Sequence, residues 1–347
     1  MSRYLKMIAW FVVLSSVLNA CASTAKGKLT LICGAQEDWC QAMTKAFQKG
    51  TGIPTNYVRL SCGEAVARIE AGKDNPEFDV WHGGPADCYI VAKNKGLLEA
   101  YISPNAAIIP EQYKDKNGYW TGVYWGALGF CSNKKMLDEI GVPVPLSWDD
   151  LLDPRLKNLV AISHPATSGT GYTAAWTLVT LNDEVDKEAK AMDKTFAYFK
   201  GLHKNTLLYP KTGVAPAQMA GRGEVAIGIS FSHDCVKYYE EGMKGLVVSF
   251  PQEGTGYEIG GVAVIKGAKN PEVAQKYVDW VLTAQSQEIP ATVRSYQRPT
   301  NPSAKVPPQA FDPSKVNLID YDFEKAAAHK DAVVKRFIEE IASGPKQ

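Results

Sequence analysis

Two α/β lobes, each a mainly parallel sheet flanked by helices, form the fold class this sequence predicts. Three observations carry that expectation: a length of 347 residues, short apolar strands alternating with amphipathic helices, and one strand-like run too long for a single sheet. At roughly 150 residues per domain, the length implies about two domains. Hydrophobic residues make up 45% and charged residues 22%, which excludes a disordered chain and a polytopic membrane protein. The formal net charge is +1, so no basic excess points to nucleic acid.

Residues 1–20 read as an export signal: Arg3 and Lys6 precede the apolar run Met7 to Leu18, and small residues follow. That run is shorter than the ~20 residues of a membrane-spanning helix. Leu18-Asn19-Ala20-Cys21 resembles a bacterial lipobox, which makes Cys21 a lipid anchor, residues 21–27 a tether, and the anchor the expected membrane contact; cleavage after Ala22 is the alternative. Six cysteines remain: Cys33, Cys40, Cys62, Cys88, Cys131 and Cys235. An even number in an exported chain suggests disulfides, and Cys33 with Cys40 is the expected local pair, across a strand-to-helix turn. No C-x-x-C pair supports a zinc or thioredoxin-type site, and no metal or cofactor is expected.

From Lys28 the pattern is strand (to Cys33), helix (Asp38 to Lys49), strand (Thr55 to Leu60), helix (Gly63 to Ala71), strand (Phe78 to Trp81) and helix (Pro85 to Lys95). Such alternation implies a parallel sheet, whose ligands sit beyond the strands' carboxyl ends. Trp120 to Cys131 is the overlong strand and is expected to cross between lobes. Ser147 and Asp150 have the spacing of a helix cap. A second lobe follows with strand Leu159 to Ile162, a helix through Leu181, a helix from Asp186 to Leu202, and the buried strand Glu224 to Phe231. Gly260 to Lys266 returns as a strand and Pro271 to Leu282 as a helix. Lobe 1 is therefore expected to comprise residues 28–128 and 250–298, and lobe 2 residues 129–249. The tail, 299–347, with a last helix near His329 to Ile341, is expected to pack on lobe 2.

Ser61-Cys62-Gly63, His82-Gly83-Gly84 and Thr167-Ser168-Gly169-Thr170-Gly171 each precede a helix. Free N–H groups and the helix dipole make such turns anion sites, and glycine permits close approach. Ser61, Gly63, Gly84, Ser168, Gly169 and Thr170 are the phosphate-binding candidates, joined by Lys211 and Thr212 of Tyr209-Pro210-Lys211-Thr212-Gly213. None of the turns carries the Gly-Lys-Ser/Thr of a nucleotide P-loop. Ser232-His233-Asp234 ends the buried strand and opens a helix, while Glu258 lies beside the second crossing. Carboxylates accept O–H bonds in charge-assisted fashion, so His233, Asp234 and Glu258 suit vicinal sugar hydroxyls; Gln36, at the first strand end, completes the sugar set. A Gly-x-Ser-x-Gly elbow is absent, and no catalytic residue is assigned.

The segments LTLICGAQEDWC, DVWHGGPAD, GALGF, SGTGY, ISFSHD and EGTGYEIGG, together with GGVAVIKGAKNPEVAQKYVDWVLT, resemble type II solute-binding proteins of ABC importers, and more narrowly the AfuA-type hexose-phosphate binders, some of whose relatives carry ferric-binding names. The resemblance implies the two-lobed type II periplasmic-binding-protein (Venus flytrap) fold. It also implies a monomer in the periplasm that captures a sugar phosphate by hinge closure and hands it to permease subunits, with His233, Asp234 and Glu258 holding the sugar. Ferric binding is the alternative, because Tyr238-Tyr239 could supply phenolates. Helical spacing opposes it: adjacent residues point about 100° apart.

Overall fold

The computed structural model describes residues 27–183 and 188–343; the export signal and Cys21 lie outside the described residues. Lobe 1 opens with β1 (Leu29–Cys33), α1 (Glu37–Thr51), β2 (Thr55–Arg59), α2 (Cys62–Ala71), β3 (Val80–Pro85), α3 (Ala86–Asn94) and the short β4 (Leu98–Glu99). β1, apolar but for Thr30, is central, pairing in parallel with β2 on one side and β3 on the other. Helix α1 buries Trp39, Met43 and Phe47 on one face and stops at Gly52, whose φ of 69° suits a left-handed cap.

The overlong run is β5 (Thr121–Asn133), and it belongs to both lobes. The lobe 2 elements are α4 (Lys134–Glu139), β6 (Val160–Ile162), α5 (Gly169–Asn182), α6 (Glu188–Asn205), β7 (Thr206–Leu208), α7 (Ala215–Arg222), β8 (Ile227–Phe231), α8 (Ser232–Glu240) and β9 (Leu246–Ser249). The chain returns through β10 (Tyr257–Ile265), α9 (Pro271–Val281), α10 (Ala284–Glu288), β11 (Arg298–Pro299) and α11 (Phe323–Glu340). Thr121 to Ala127 of β5 pair with β10, whereas Leu128 to Ser132 pair with β8. The strand changes partners between Ala127 and Leu128. Strand order is β2-β1-β3-β10-β5-β8-β6-β7. Each lobe is parallel away from this seam, and the crossing strands β5 and β10 pair antiparallel at it.

Apolar clusters fill both lobes: Trp39, Phe47, Val80 and Tyr277 in lobe 1, and Phe130, Trp148, Phe196 and Phe199 in lobe 2. Helix α5 is buried continuously from Gly169 to Val179, which is why its sequence is apolar or small on every face. The six cysteines pair as Cys33–Cys40, Cys62–Cys88 and Cys131–Cys235, with Cα separations of 5.9, 6.1 and 5.4 Å. The first is the pair expected from the turn.

Three expectations need adjustment. Asp150 accepts from the Ser147 amide at 2.9 Å, as a capping carboxylate should, but the helix is a single 3-10 turn over Asp149–Leu152. Pro154 holds Asp153 extended and ends it. The last helix starts at Phe323 rather than near His329, because Asp322 caps it by accepting from Lys325 N at 2.9 Å. The tail expected on lobe 2 also runs along lobe 1: Thr300 Oγ1 donates to Gly122 O and Asn301 Nδ2 to Leu282 O, each at 2.8 Å. Helix α11 then spans both lobes, with Phe337 against Phe199 of lobe 2 and the buried Lys330 ammonium 2.6 Å from Asp87 of α3.

Candidate ligand chamber between the lobes

Helix starts from both lobes converge on one chamber of about 490 Å³, mouth included. Lobe 1 contributes Gly34 to Gln36 before α1, Ser61 and Cys62 at α2, and Gly84-Pro85 at α3. Ser168 to Thr170 at α5, Gly213-Val214 at α7, and His233-Asp234 at α8 come from lobe 2. Glu258 and Tyr124 reach in from the crossing strands. Gly84, at φ 92°, presents open space where a side chain would begin, and its amide donates to Tyr124 Oη at 3.1 Å. That backbone conformation favours glycine.

The lobes meet backbone to backbone. Gly63 N–H donates to Thr167 O across the cleft at 3.0 Å, and a Cβ on Gly63 would sit 2.1 Å from Ala166 O. Gly169 packs on the Pro85 ring, with 2.6 Å from an added Cβ to Pro85 Cγ. No side chain fits at either seam.

His233, Asp234 and Glu258 stand together in the chamber lining, each no more than 6% exposed. His233 Nε2 lies 3.8 Å from Asp234 Oδ1 and 3.5 Å from Glu258 Oε1. The imidazole reaches this position because residue 126 is glycine; a Cβ there would be 2.6 Å from His233 Nδ1. Phe231 stacks on the ring at 5.7 Å. Gln36 Nε2 donates across the cleft to Asp234 Oδ1, and Ser230 Oγ lies 3.1 Å from Asp234 Oδ2. Burial, then the Asp234 and Asp87 charges, push the Glu258 carboxyl well above its usual range. Burial lowers His233 against the pull of Asp234, so the ring is neutral at pH 7. Among the described residues no lysine or arginine pairs with His233, Asp234 or Glu258, and the cluster's acceptors call for hydroxyl donors.

Small groups follow on the α5 side, and Ser230 ties them to the acidic cluster: its Oγ donates to Gly213 O at 2.7 Å and lies 3.1 Å from Asp234 Oδ2. Ser168 caps α5, its Oγ accepting from Ser163 Oγ at 2.9 Å, and Thr170 follows in the first turn. Gly213 lies against them: a Cβ there would be 1.9 Å from Thr170 Oγ1. Arg59 is the one lysine or arginine lining the chamber among the described residues, and its Nε donates to Ala35 O at 3.0 Å. An α-helix start, hydroxyls and a guanidinium make an anion site.

Of the candidates read from sequence, Gln36, Ser61, Gly84, Ser168, Gly169, Thr170, His233, Asp234 and Glu258 line the chamber. Gly63, Lys211 and Thr212 do not. The Gly63 amide is spent on Thr167, the Lys211 side chain is exposed, and the Thr212 carbonyl accepts from Ala215 N at 3.3 Å. Arg59, Gly213 and Gln297 line it without having been singled out. Arg59 stood two residues before Ser61 at a ligand-facing strand end, so its position was a usable signal; Gln297 had none. Tyr238 and Tyr239 both lie outside the chamber lining, and Tyr239 is 39% exposed with the Lys244 ammonium 4.1 Å from its ring.

Residues 42–315 match the model of the family described as bacterial extracellular solute-binding protein. The chain is 40% identical over 328 residues to an uncharacterised protein of Haemophilus influenzae, covering 92% of each. It is similar to the periplasmic binding protein AfuA from Actinobacillus pleuropneumoniae, solved with exogenous fructose 6-phosphate bound, at 39% identity and a TM-score of 0.87 over 92% of this chain and 100% of that one. The ferric binding protein from Campylobacter jejuni shares the fold, with a TM-score of 0.74 at 20% identity over 92% of this chain and 100% of that one. The chain belongs to the bacterial extracellular solute-binding protein family.

Two consequences are testable before any ligand is known. Gly63→Ala places a methyl group against Ala166 O and should hold the lobes apart, read as a larger radius of gyration in solution scattering; an unchanged profile would show that the seam yields. Glu258, with its folded pKa raised, favours the folded state below the ordinary carboxylate pKa and loses that contribution as pH rises above ~4.5. Glu258→Gln should therefore stabilise the ligand-free protein at pH 8 by roughly 1 kcal/mol or more, and by less at pH 5, in thermal unfolding. Equal effects at both pH values would contradict a carboxyl kept from ionising.

Proposed function

We propose that this member of the solute-binding family captures a sugar phosphate, a hexose or heptose phosphate, by closing its lobes around it, and delivers it to the permease subunits of an ABC importer. The observation that carries this reading is one chamber lined both by a helix start with hydroxyls and by an acidic cluster. Ser61, Ser168, Gly169 and Thr170 line it where the positive start of α5 complements a phosphate, and Arg59 adds a cation to the same lining. His233, Asp234, Glu258 and Gln36 are the sugar groups: the Asp234 carboxylate accepts hydroxyl protons, and Glu258, kept from ionising, accepts through its carbonyl oxygen and donates through its O–H. Similarity to AfuA, solved with fructose 6-phosphate, supports the same ligand class. Arg59 takes the cationic role expected of Lys211, because it lines the chamber. No bond is made or broken in this function; binding and hinge closure at β5 and the segment before β10 are the whole of it. The protein works as a monomer in the periplasm, tethered by lipid on Cys21.

Calorimetry with fructose 6-phosphate, glucose 6-phosphate, a heptose phosphate and unphosphorylated glucose tests the ligand class. At least one sugar phosphate should bind tightly and glucose poorly, because closing the chamber without an anion strands the donors at the start of α5. Asp234→Ala should weaken the bound sugar phosphate about 10- to 100-fold. Equal binding of glucose and its phosphate would reject the reading, as would a coloured, tight complex with ferric salt. For the tether, Cys21→Ala should release the protein from membranes into the soluble fraction; continued membrane association would count against lipid attachment.

A further inference from the structure

A smaller cavity lies in lobe 1 behind the ligand chamber, and Tyr124 and Gln297 line both. Three of the residues that line it each carry a polar atom buried without a hydrogen-bond partner in the protein: Trp39 Nε1, His82 Nε2 and Gln297 Oε1. All three residues are more than nine-tenths buried. The Trp39 and His82 rings meet edge to face at 4.5 Å, and His82 Nδ1 is already engaged, 2.8 Å from the Tyr277 hydroxyl. Met43, Val123 and Pro290 supply apolar wall.

Buried polar atoms are almost always satisfied, so three in one small cavity identify its occupant by their chemistry. The indole N–H only donates and the amide oxygen only accepts. Burial holds the His82 pKa down at about 3, so its ring is neutral and its Nε2 gives or takes one bond according to tautomer. An anion would be repelled by Gln297 Oε1 and a cation by the indole N–H. Water alone among small species answers all three, with the three bonds typical of an internal water.

We propose that one ordered water occupies this cavity, accepting from Trp39 Nε1, donating to Gln297 Oε1 and bonding His82 Nε2, and that it thereby turns the Gln297 amide so that Nε2 is offered to the ligand. Gln297 is then a specificity residue that touches the ligand, while Trp39 and His82 are positioning residues acting through the water. The ligand part rests on the sugar-phosphate reading; the water does not.

A high-resolution crystal structure of the ligand-free mature protein tests the water alone. One density peak within hydrogen-bonding distance of all three atoms is expected, and a cavity without it overturns the inference. With fructose 6-phosphate, Gln297→Met should weaken binding about 10-fold and Trp39→Phe about 3-fold, with no further loss when the second change is added to the first. Full additivity, or a Trp39→Phe protein that binds as tightly as the unmodified one, overturns the positioning role. Should the unmodified protein bind no sugar phosphate while the water is present, the ligand reading fails together with the role of Gln297, and the hydration site stands.

Discussion

The approach of the two lobes is limited by backbone, and the rest of the structure follows from how close that approach is. Gly63 against Ala166 and Gly169 against Pro85 leave no room for a methyl group at the seam. Gly126 and Gly213 do the same inside the chamber, letting His233 and Thr170 come within contact of opposing backbone. Contacts this close bury the chamber's polar side chains, and electrostatic interactions among them are strengthened accordingly. The ligand is selected by what it does for groups that have lost their water.

Burial explains the electrostatics of the cluster of His233, Asp234 and Glu258. It is the first cause of both shifts: it pushes Glu258 up, with the Asp234 and Asp87 charges adding to it, and His233 down against the pull of Asp234. Gln36 meanwhile bridges the lobes to Asp234. A ligand hydroxyl must compete with that amide, so it gains only the difference between two hydrogen bonds rather than a whole one. Lys237 adds a third lobe-to-lobe link: its ammonium contacts Asp38 of α1 and donates to Val293 O at 3.1 Å. Protein contacts thus join the two lobes across the cleft.

Much of this was legible in the sequence, for identifiable reasons. The alternation through the first hundred residues gave the parallel half of lobe 1, and the length of Thr121–Asn133 exposed the crossing, because no single sheet edge consumes thirteen strand residues. His233 and Asp234 were findable since a buried strand that ends in polar residues at a helix start points them at the cleft. What failed had physical causes too. Gly63 has the composition of an anion turn, yet its amide is taken by a residue 104 positions away, and no local pattern records that. Lys211 was singled out for its charge, but a side chain's direction in a loop is set by packing. Gln297 joins the chamber only because β11 returns to β5, a pairing of two residues with no periodicity to read.

The central claim is that one chamber holds phosphate at the start of α5 and sugar on the acidic cluster. A crystal structure of the protein with fructose 6-phosphate tests it most directly. The account predicts phosphate oxygens at the start of α5, within hydrogen-bonding reach of Ser168 or Thr170 and of Arg59, with sugar hydroxyls on Asp234 and Glu258 and the Gln36–Asp234 bond displaced. Phosphate found beside His233, Asp234 and Glu258, or a ligand outside the closed cleft, would contradict it.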